Sequence, residues 1–126
     1  MPLELGVFLG ALHFGGDPHT NKRALILDRD GYRYQKFCSD IAGQDILAHN
    51  GSPAGAITAV RNWLHTTPEA KGEVIPSGSF LVRRFETFRA QLPSQCDELN
   101  LDPRELSFLD FRVLVVGWLK KNPSPR

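Results

Sequence analysis

Asp28 and Asp30 are spaced like the two carboxylates of a phosphoryl-transfer site that uses an aspartyl nucleophile. They follow the apolar run "ALIL" and come directly before Gly31. In that chemistry the first carboxylate attacks phosphorus and the second protonates the leaving group. A magnesium site and further polar motifs, each after another strand, must complete such a site. The rest of the chain therefore decides between phosphoryl transfer and a polar strand end.

The rest of the chain does not complete a phosphatase of the haloacid-dehalogenase type. Only one further strand candidate follows Asp28, and Tyr32 stands where that family usually has Thr or Val. We interpret Asp28 and Asp30 as polar residues at the exit from a strand, with Gly31 supplying a positive φ. An EF-hand loop is disfavoured as well, since "DRDGYRYQ" lacks the third acid and the terminal Glu.

Histidine and cysteine form no recognisable metal or nucleophile pattern. The histidines lie in separate segments, and the cysteines have no CxxC spacing. These residues are His13, His19, His49, His65, Cys38 and Cys96. The segment "GGDPHTNKR" also lacks the GxxxxGK spacing of a phosphate-binding loop. We expect no bound metal and reduced thiols, as in a cytoplasmic protein.

Length and composition predict one ordinary domain. The chain has 126 residues, 41% of them hydrophobic, and a net charge of +1. We expect a single α/β domain over residues 1–121 and a frayed tail at 122–126. The near-neutral charge gives no basic field for nucleic acid. No apolar run reaches the roughly 18 residues of a membrane span, so we expect a soluble protein with small-molecule or protein partners.

In the first half, one helix and two strands are predicted. A helix starts at Pro2, carries Glu4 in its first turn and ends at Gly15-Gly16. Its apolar face consists of Leu5, Phe8, Leu9 and Leu12. A strand covers Arg23 to Asp28, where the continuous apolar run is typical of burial on both faces. A helical turn or two over Tyr32–Ala42 and a weaker strand at Asp45–His49 follow.

In the second half, the sequence predicts helices only. Ser52 caps the first, with a buried stripe of Ile57, Val60 and Leu64. Ser77 or Ser79 caps the second, which presents Leu81, Phe85, Phe88 and Leu92 on one face and is broken or kinked at Pro93. "DPRE" at 102–105 and "SFLD" at 107–110 both have capping spacing. The last helix, Phe108 to Leu119, is apolar nearly all round, which predicts that it is well buried.

These elements define the fold class as α/β. We expect a small parallel sheet of two or three strands with flanking helices and a helical C-terminal half. Two strands alone are marginally stable. The chain could therefore lack strands at its N-terminus, take strands from a partner, or cover "ALIL" at an edge.

Several stretches resemble a known family. The stretches "ELG", "YRYQ", "SDIAGQD" and "VRNWL" are similar to a set of bacterial proteins with a domain of the Toll/interleukin-receptor-like (TIR-like) or nucleoside 2-deoxyribosyltransferase-like kind. In that set the "ELG" helix lies in mid-chain, after the first strands. The resemblance covers nearly all of this chain. It implies the C-terminal portion of an incomplete flavodoxin-like or TIR-like domain.

The resemblance also implies a chemistry, the cleavage or transfer of an N-glycosidic bond in NAD or a nucleotide. It makes Glu4 the catalytic carboxylate, which stabilises or attacks an oxocarbenium-like centre. Gly6 would allow close approach of the substrate. The remaining implied substrate-binding residues are Tyr32 and Tyr34, which could stack on a base, and Asp40 and Asp45, which could orient ribose hydroxyls. NAD or a nucleotide enters as substrate, and no separate cofactor is implied.

Two alternatives remain open. The chain could be a catalytically silent nucleotide-binding or interaction module that forms a homo-oligomer through a sheet edge or its C-terminal helices. The apolar surface for that would come from the helices Phe80–Leu92 and Phe108–Leu119. It could also be a truncated, inactive fragment of the longer family member.

Overall fold

A computed structural model describes residues 2–31 and 45–124. Within these residues the chain forms four α-helices and one two-stranded parallel sheet. This confirms the mixed α/β class and the helical C-terminal half. In chain order the elements are α1 (Pro2–Phe14), β1 (Leu25–Asp28), β2 (Asp45–Ala48), α2 (Pro53–His65), α3 (Gly78–Glu98) and α4 (Phe108–Lys121). The helical turn predicted over Tyr32–Ala42 lies outside the described residues.

The chain divides into two compact units. Unit 1 covers Met1–Gly51 and contains α1 and the sheet, whereas unit 2 covers Ser52–Arg126 and contains α2, α3 and α4. None of the helices in the described ranges is long and apolar enough to cross a membrane.

Helix α1 partly buries its predicted apolar face, but its other sides are apolar as well. The four residues of its predicted apolar face are all half-buried. Other apolar side chains of this helix are exposed: Leu3, Val7 and Phe14. The helix ends as expected at two glycines, since Gly15 donates its N–H to the Ala11 carbonyl and Gly16 has a φ of +71°.

Strands β1 and β2 are parallel neighbours in register from Leu25 opposite Asp45 to Asp28 opposite Ala48. All four β1 residues are half-buried, so the expectation of a strand buried on both faces is wrong for the described residues. The physical reason is that, within the described part of the chain, β1 pairs with β2 alone and therefore has one partnered edge.

The turn after β2, not the one after β1, contains the left-handed backbone. Asn50 has a φ of 52° and Gly51 has a φ of 67°. Gly31 is not among the positive-φ residues, so the φ predicted for it is wrong. Asn-Gly pairs adopt this conformation readily because Gly has no Cβ and the Asn side chain tolerates it.

Helix α2 is capped as predicted, but its buried stripe differs from the prediction. The Ser52 hydroxyl accepts a hydrogen bond from the Gly55 N–H at 2.9 Å. Ile57 is half-buried, whereas Val60 and Leu64 are exposed. On this helix Arg61 is half-buried instead, because its guanidinium donates to the carbonyls that precede α3, those of Ile75 and Pro76.

Helix α3 begins at the Ser77 cap and continues past Pro93. The Ser77 hydroxyl accepts from the Phe80 N–H at 3.3 Å. The expected break at Pro93 is wrong, because the helix runs on to Glu98. The turn beyond Pro93 contains Cys96, which is fully buried. Burial of Cys96 offsets the backbone hydrogen bond that proline removes.

The core of unit 2 lies between α3 and α4. Phe88 of α3 packs edge-to-face against Phe111 and Trp118 of α4, at 5.7 Å between ring centroids in both cases. The Trp118 indole donates to Gln91 at 2.7 Å, and the Arg84 guanidinium lies 4.9 Å from the Trp118 ring centroid. In the described chain, all buried residues belong to this unit: Phe88, Cys96, Leu114 and Trp118.

Helix α4 starts at the predicted capping box, and "DPRE" starts no helix. Ser107 accepts from the Asp110 N–H, and the Asp110 carboxylate accepts from the Ser107 N–H at 3.0 Å. Asp102 instead binds Arg104, accepting from its backbone N–H and its guanidinium at 2.8 Å each. Residues 103–105 therefore form a turn, not a helix.

The predicted deep burial of α4 is wrong. Only Leu114 and Trp118 of this helix are buried, whereas six other large apolar side chains are exposed. These are Phe108, Leu109, Phe111, Val113, Val116 and Leu119. The reason is that α3 covers only one side of the helix.

Candidate functional site

The first candidate group is the Glu4 carboxylate, in the first turn of α1. The side chain is exposed. The amino group at the start of the chain, and after it the backbone N–H of Glu4 itself, lowers the pKa of Glu4 below its usual range. Glu4 is therefore an anion at neutral pH, as a carboxylate that stabilises or attacks a cationic carbon must be.

Gly6 lies two residues after Glu4 and is also exposed. A Cβ built at Gly6 would meet no heavy atom within 4 Å among the described residues. The described fold therefore gives no internal packing reason for glycine here. The space beside the α1 backbone is open to a ligand at this point.

The second candidate region is the carboxyl edge of the sheet. Because the strands are parallel, both run out at the same edge, where the His49 N–H donates to the Asp28 carbonyl at 2.9 Å. The Asp28 carboxylate accepts from the Arg29 N–H at 2.7 Å. Asp30 follows, with an oxygen 4.0 Å from the Arg29 guanidinium. This edge is where open parallel α/β sheets bind their ligands.

His49 is the member of this edge that the sequence analysis missed. Its ring is half-buried, and its Nδ1 atom is buried without a hydrogen-bond partner among the described residues. A signal for it was present, since His49 is the last residue of the second predicted strand and parallel strands end at one edge. No three His, Cys, Asp or Glu residues of the described ranges converge as a metal site would require.

Asp45 lies at the opposite end of the sheet from Asp28. It is the first residue of β2, opposite Leu25, and its carboxylate lies 3.1 Å from the Arg23 guanidinium. Three residues of strand separate the two ends, which is about 10 Å. The structure therefore does not bring Asp45 to the carboxyl edge. An ion pair there positions the start of β2.

Three other predicted substrate-binding residues, Tyr32, Tyr34 and Asp40, lie outside the described residues. Their assignment to base stacking and ribose binding stays a prediction.

Unit 2 contains two shallow grooves that the sequence analysis did not predict. One, of about 500 Å³, lies between the second half of α3 and the start of α4 and is lined by Leu92, Leu106 and Phe111 with Arg89 and Arg104 among its polar residues. The other, of about 460 Å³, runs along the side of α4. Both follow from the exposed apolar residues of α4.

Comparisons of this chain with models of known protein families, with curated proteins and with solved structures found no match.

Proposed function

We propose that the chain contributes to a site that cleaves or transfers the N-glycosidic bond of NAD or a nucleotide, with Glu4 as the catalytic carboxylate. The observation that supports this most directly is the Glu4 side chain itself, exposed in the first turn of α1 with a lowered pKa. An accessible anion at neutral pH is the group that this chemistry requires.

The reaction follows from the electronic demand of the bond. In NAD the C–N bond breaks as its electron pair moves to the pyridinium nitrogen, so nicotinamide leaves neutral. Positive charge then develops at the anomeric carbon. The Glu4 carboxylate stabilises that charge or bonds to the carbon, and water or an acceptor nucleobase completes the substitution.

The test is an assay of nicotinamide release from NAD and of base release from 2′-deoxynucleosides by the 126-residue chain. We expect turnover that falls by at least about 100-fold in Glu4→Gln, which keeps the shape but removes the charge. Glu105→Gln is the matched control, since Glu105 is an exposed glutamate in unit 2. Absence of turnover in the unmodified chain, or equal turnover in both variants, would contradict the proposal.

A second candidate function is a protein-interaction module without turnover. The exposed apolar surface of α4 favours it, because contiguous apolar patches of this kind mark interaction sites. In that case the unmodified chain would show no nicotinamide release but would bind a partner through unit 2.

A further inference from the structure

We propose that the outer side of α4 binds an amphipathic helix that carries carboxylates beside its apolar stripe. The outer face consists of Leu109, Arg112, Val113, Val116, Gly117 and Lys120, which line the groove along this helix. The proposal deepens the second candidate function and depends on unit 2 alone. It therefore stands whether or not Glu4 is catalytic.

Helix α4 has two apolar sides and only one of them is covered. Leu114 and Trp118 face α3 and are 3% and 5% exposed. Leu109, Val113 and Val116 recur at i, i+4 and i+7, which places them together on the opposite side of the helix. They are 62%, 54% and 44% exposed. The second side therefore has the pattern of a packing face without a described neighbour on it.

Gly117 is a separate reason to expect a helix on this face. Glycine inside a helix is less favourable than alanine, a cost that close packing of a neighbour against it can offset. A Cβ built at Gly117 would meet no heavy atom within 4 Å among the described residues, so the described fold supplies no such neighbour. A missing side chain beside Val113 and Val116 allows another backbone to approach closely.

The charges on the outer face select the partner. Arg112 lies beside the stripe between Leu109 and Val113, and Lys120 lies one turn beyond Val116. Neither forms an ion pair with a described residue. The next residue, Lys121, points to α3 and pairs with Glu98 at 3.6 Å. A partner with carboxylates beside its apolar residues matches this pattern.

The same charges disfavour two other occupants. A second copy of the chain would bring two Arg112 and two Lys120 side chains to one interface, and like charges in contact are costly. An anionic membrane would match the charges, but it needs no helical groove. A face with two cations and no aromatic side chain is also weakly equipped for a lipid surface.

The test is a selection of displayed amphipathic helices against the whole 126-residue chain. The library holds peptides of about 18 residues, long enough to form helix, with a fixed apolar stripe and random Asp, Glu, Lys or Arg at the flanking positions. We expect enriched peptides to carry Asp or Glu at the flanks. Failure to enrich any peptide, or enrichment of Lys and Arg, would overturn the proposal.

Charge-swap variants then locate the binding surface. An enriched acidic peptide, measured by fluorescence anisotropy, should bind Arg112→Glu/Lys120→Glu at least about tenfold more weakly than the unmodified chain. The matched control is Arg83→Glu/Lys71→Glu, which makes the same charge change at exposed positions elsewhere in unit 2. It should bind the peptide as the unmodified chain does. Equal loss in both variants would overturn the proposal.

Two further measurements separate the other occupants. Sedimentation of the unmodified chain and of Val113→Asp tests self-association, and co-sedimentation with phosphatidylserine vesicles tests lipid binding. A dimer that Val113→Asp dissociates would overturn the proposal in favour of a second copy. Vesicle binding that Arg112→Glu/Lys120→Glu abolishes, with no peptide bound, would overturn it in favour of a membrane.

Discussion

Asp110 couples the start of α4 to pH. Its carboxylate accepts from the Ser107 hydroxyl at 2.6 Å and from the Ser107 N–H at 3.0 Å. These hydrogen bonds, the hydroxyl first, lower the pKa of Asp110 in the folded chain. Because the unfolded chain then binds the proton more readily, the contribution of Asp110 to stability is present above its unfolded pKa. It is lost as the pH falls through its folded pKa.

The prediction is that the free energy of unfolding of the unmodified chain exceeds that of Asp110→Asn at neutral pH. This difference should shrink as the pH falls from about 7 to about 3. Urea unfolding followed by circular dichroism at each pH measures the difference. In a Ser107→Ala background the free-energy difference made by Asp110→Asn should be small at every pH. That background lacks the Ser107 hydroxyl, which is the main donor that lowers the pKa of Asp110. A pH-dependent difference that persists unchanged in Ser107→Ala would contradict this account.

At the residue scale, the sequence predicts what depends on residues close in the chain. Ser52 and Ser107 are helix caps in both the sequence analysis and the structure, and Ser77 is the one of the two predicted alternatives, Ser77 or Ser79, that caps α3. A cap needs only a hydroxyl and an N–H up to three residues away. The "DPRE" segment shows the limit. It has the same spacing as "SFLD", but Asp102 binds the Arg104 side chain and no helix follows. The spacing of the residues alone does not show that the Arg104 side chain competes for the Asp102 carboxylate.

At the element scale, the sequence shows that a helix has an apolar face but not whether a neighbour covers it. The Phe88 face of α3 is covered because the aromatic side chains of α4 pack on it. The Leu109 face of α4 also carries an apolar stripe, but it is exposed. Val60 and Leu64 of α2 are exposed as well. Burial depends on contacts between residues far apart in the sequence, which the pattern of a single helix does not contain.

The two sides of α4 should therefore respond differently to one chemical change. Leu114→Ala removes methyl groups from a buried site and should cost about 2–5 kcal/mol of unfolding free energy. Leu109→Ala makes the same change at an exposed site and should change it by no more than about 0.5 kcal/mol. Urea unfolding of both variants is the measurement. Equal losses would mean that the outer face is covered in the folded chain.

At the scale of the whole molecule, the sequence predicts one domain over residues 1–121, and this stays a prediction. Within the chain, contacts group the residues into two compact units. This division is hard to predict from the sequence because no long linker separates the two units. The boundary falls in the short "NGSP" turn after β2. The candidate site residues also differ in how far the sequence predicts them. Glu4 and Asp28 can be proposed from the residues next to them in the sequence. His49 can be assigned to the carboxyl edge only when the parallel register of the two strands is known.

The last prediction follows from where the buried residues lie. In the described chain they all belong to unit 2, whereas unit 1 has a two-stranded sheet, which is marginally stable by itself. Native-state hydrogen exchange should therefore give lower opening free energies for β1 and β2 than for α3. Leu114→Ala should lower protection in α3 and α4 and leave that of β1 and β2 unchanged, with Leu109→Ala as the control that changes neither. An equal loss of protection in the strands would show instead that the two units unfold as one cooperative structure.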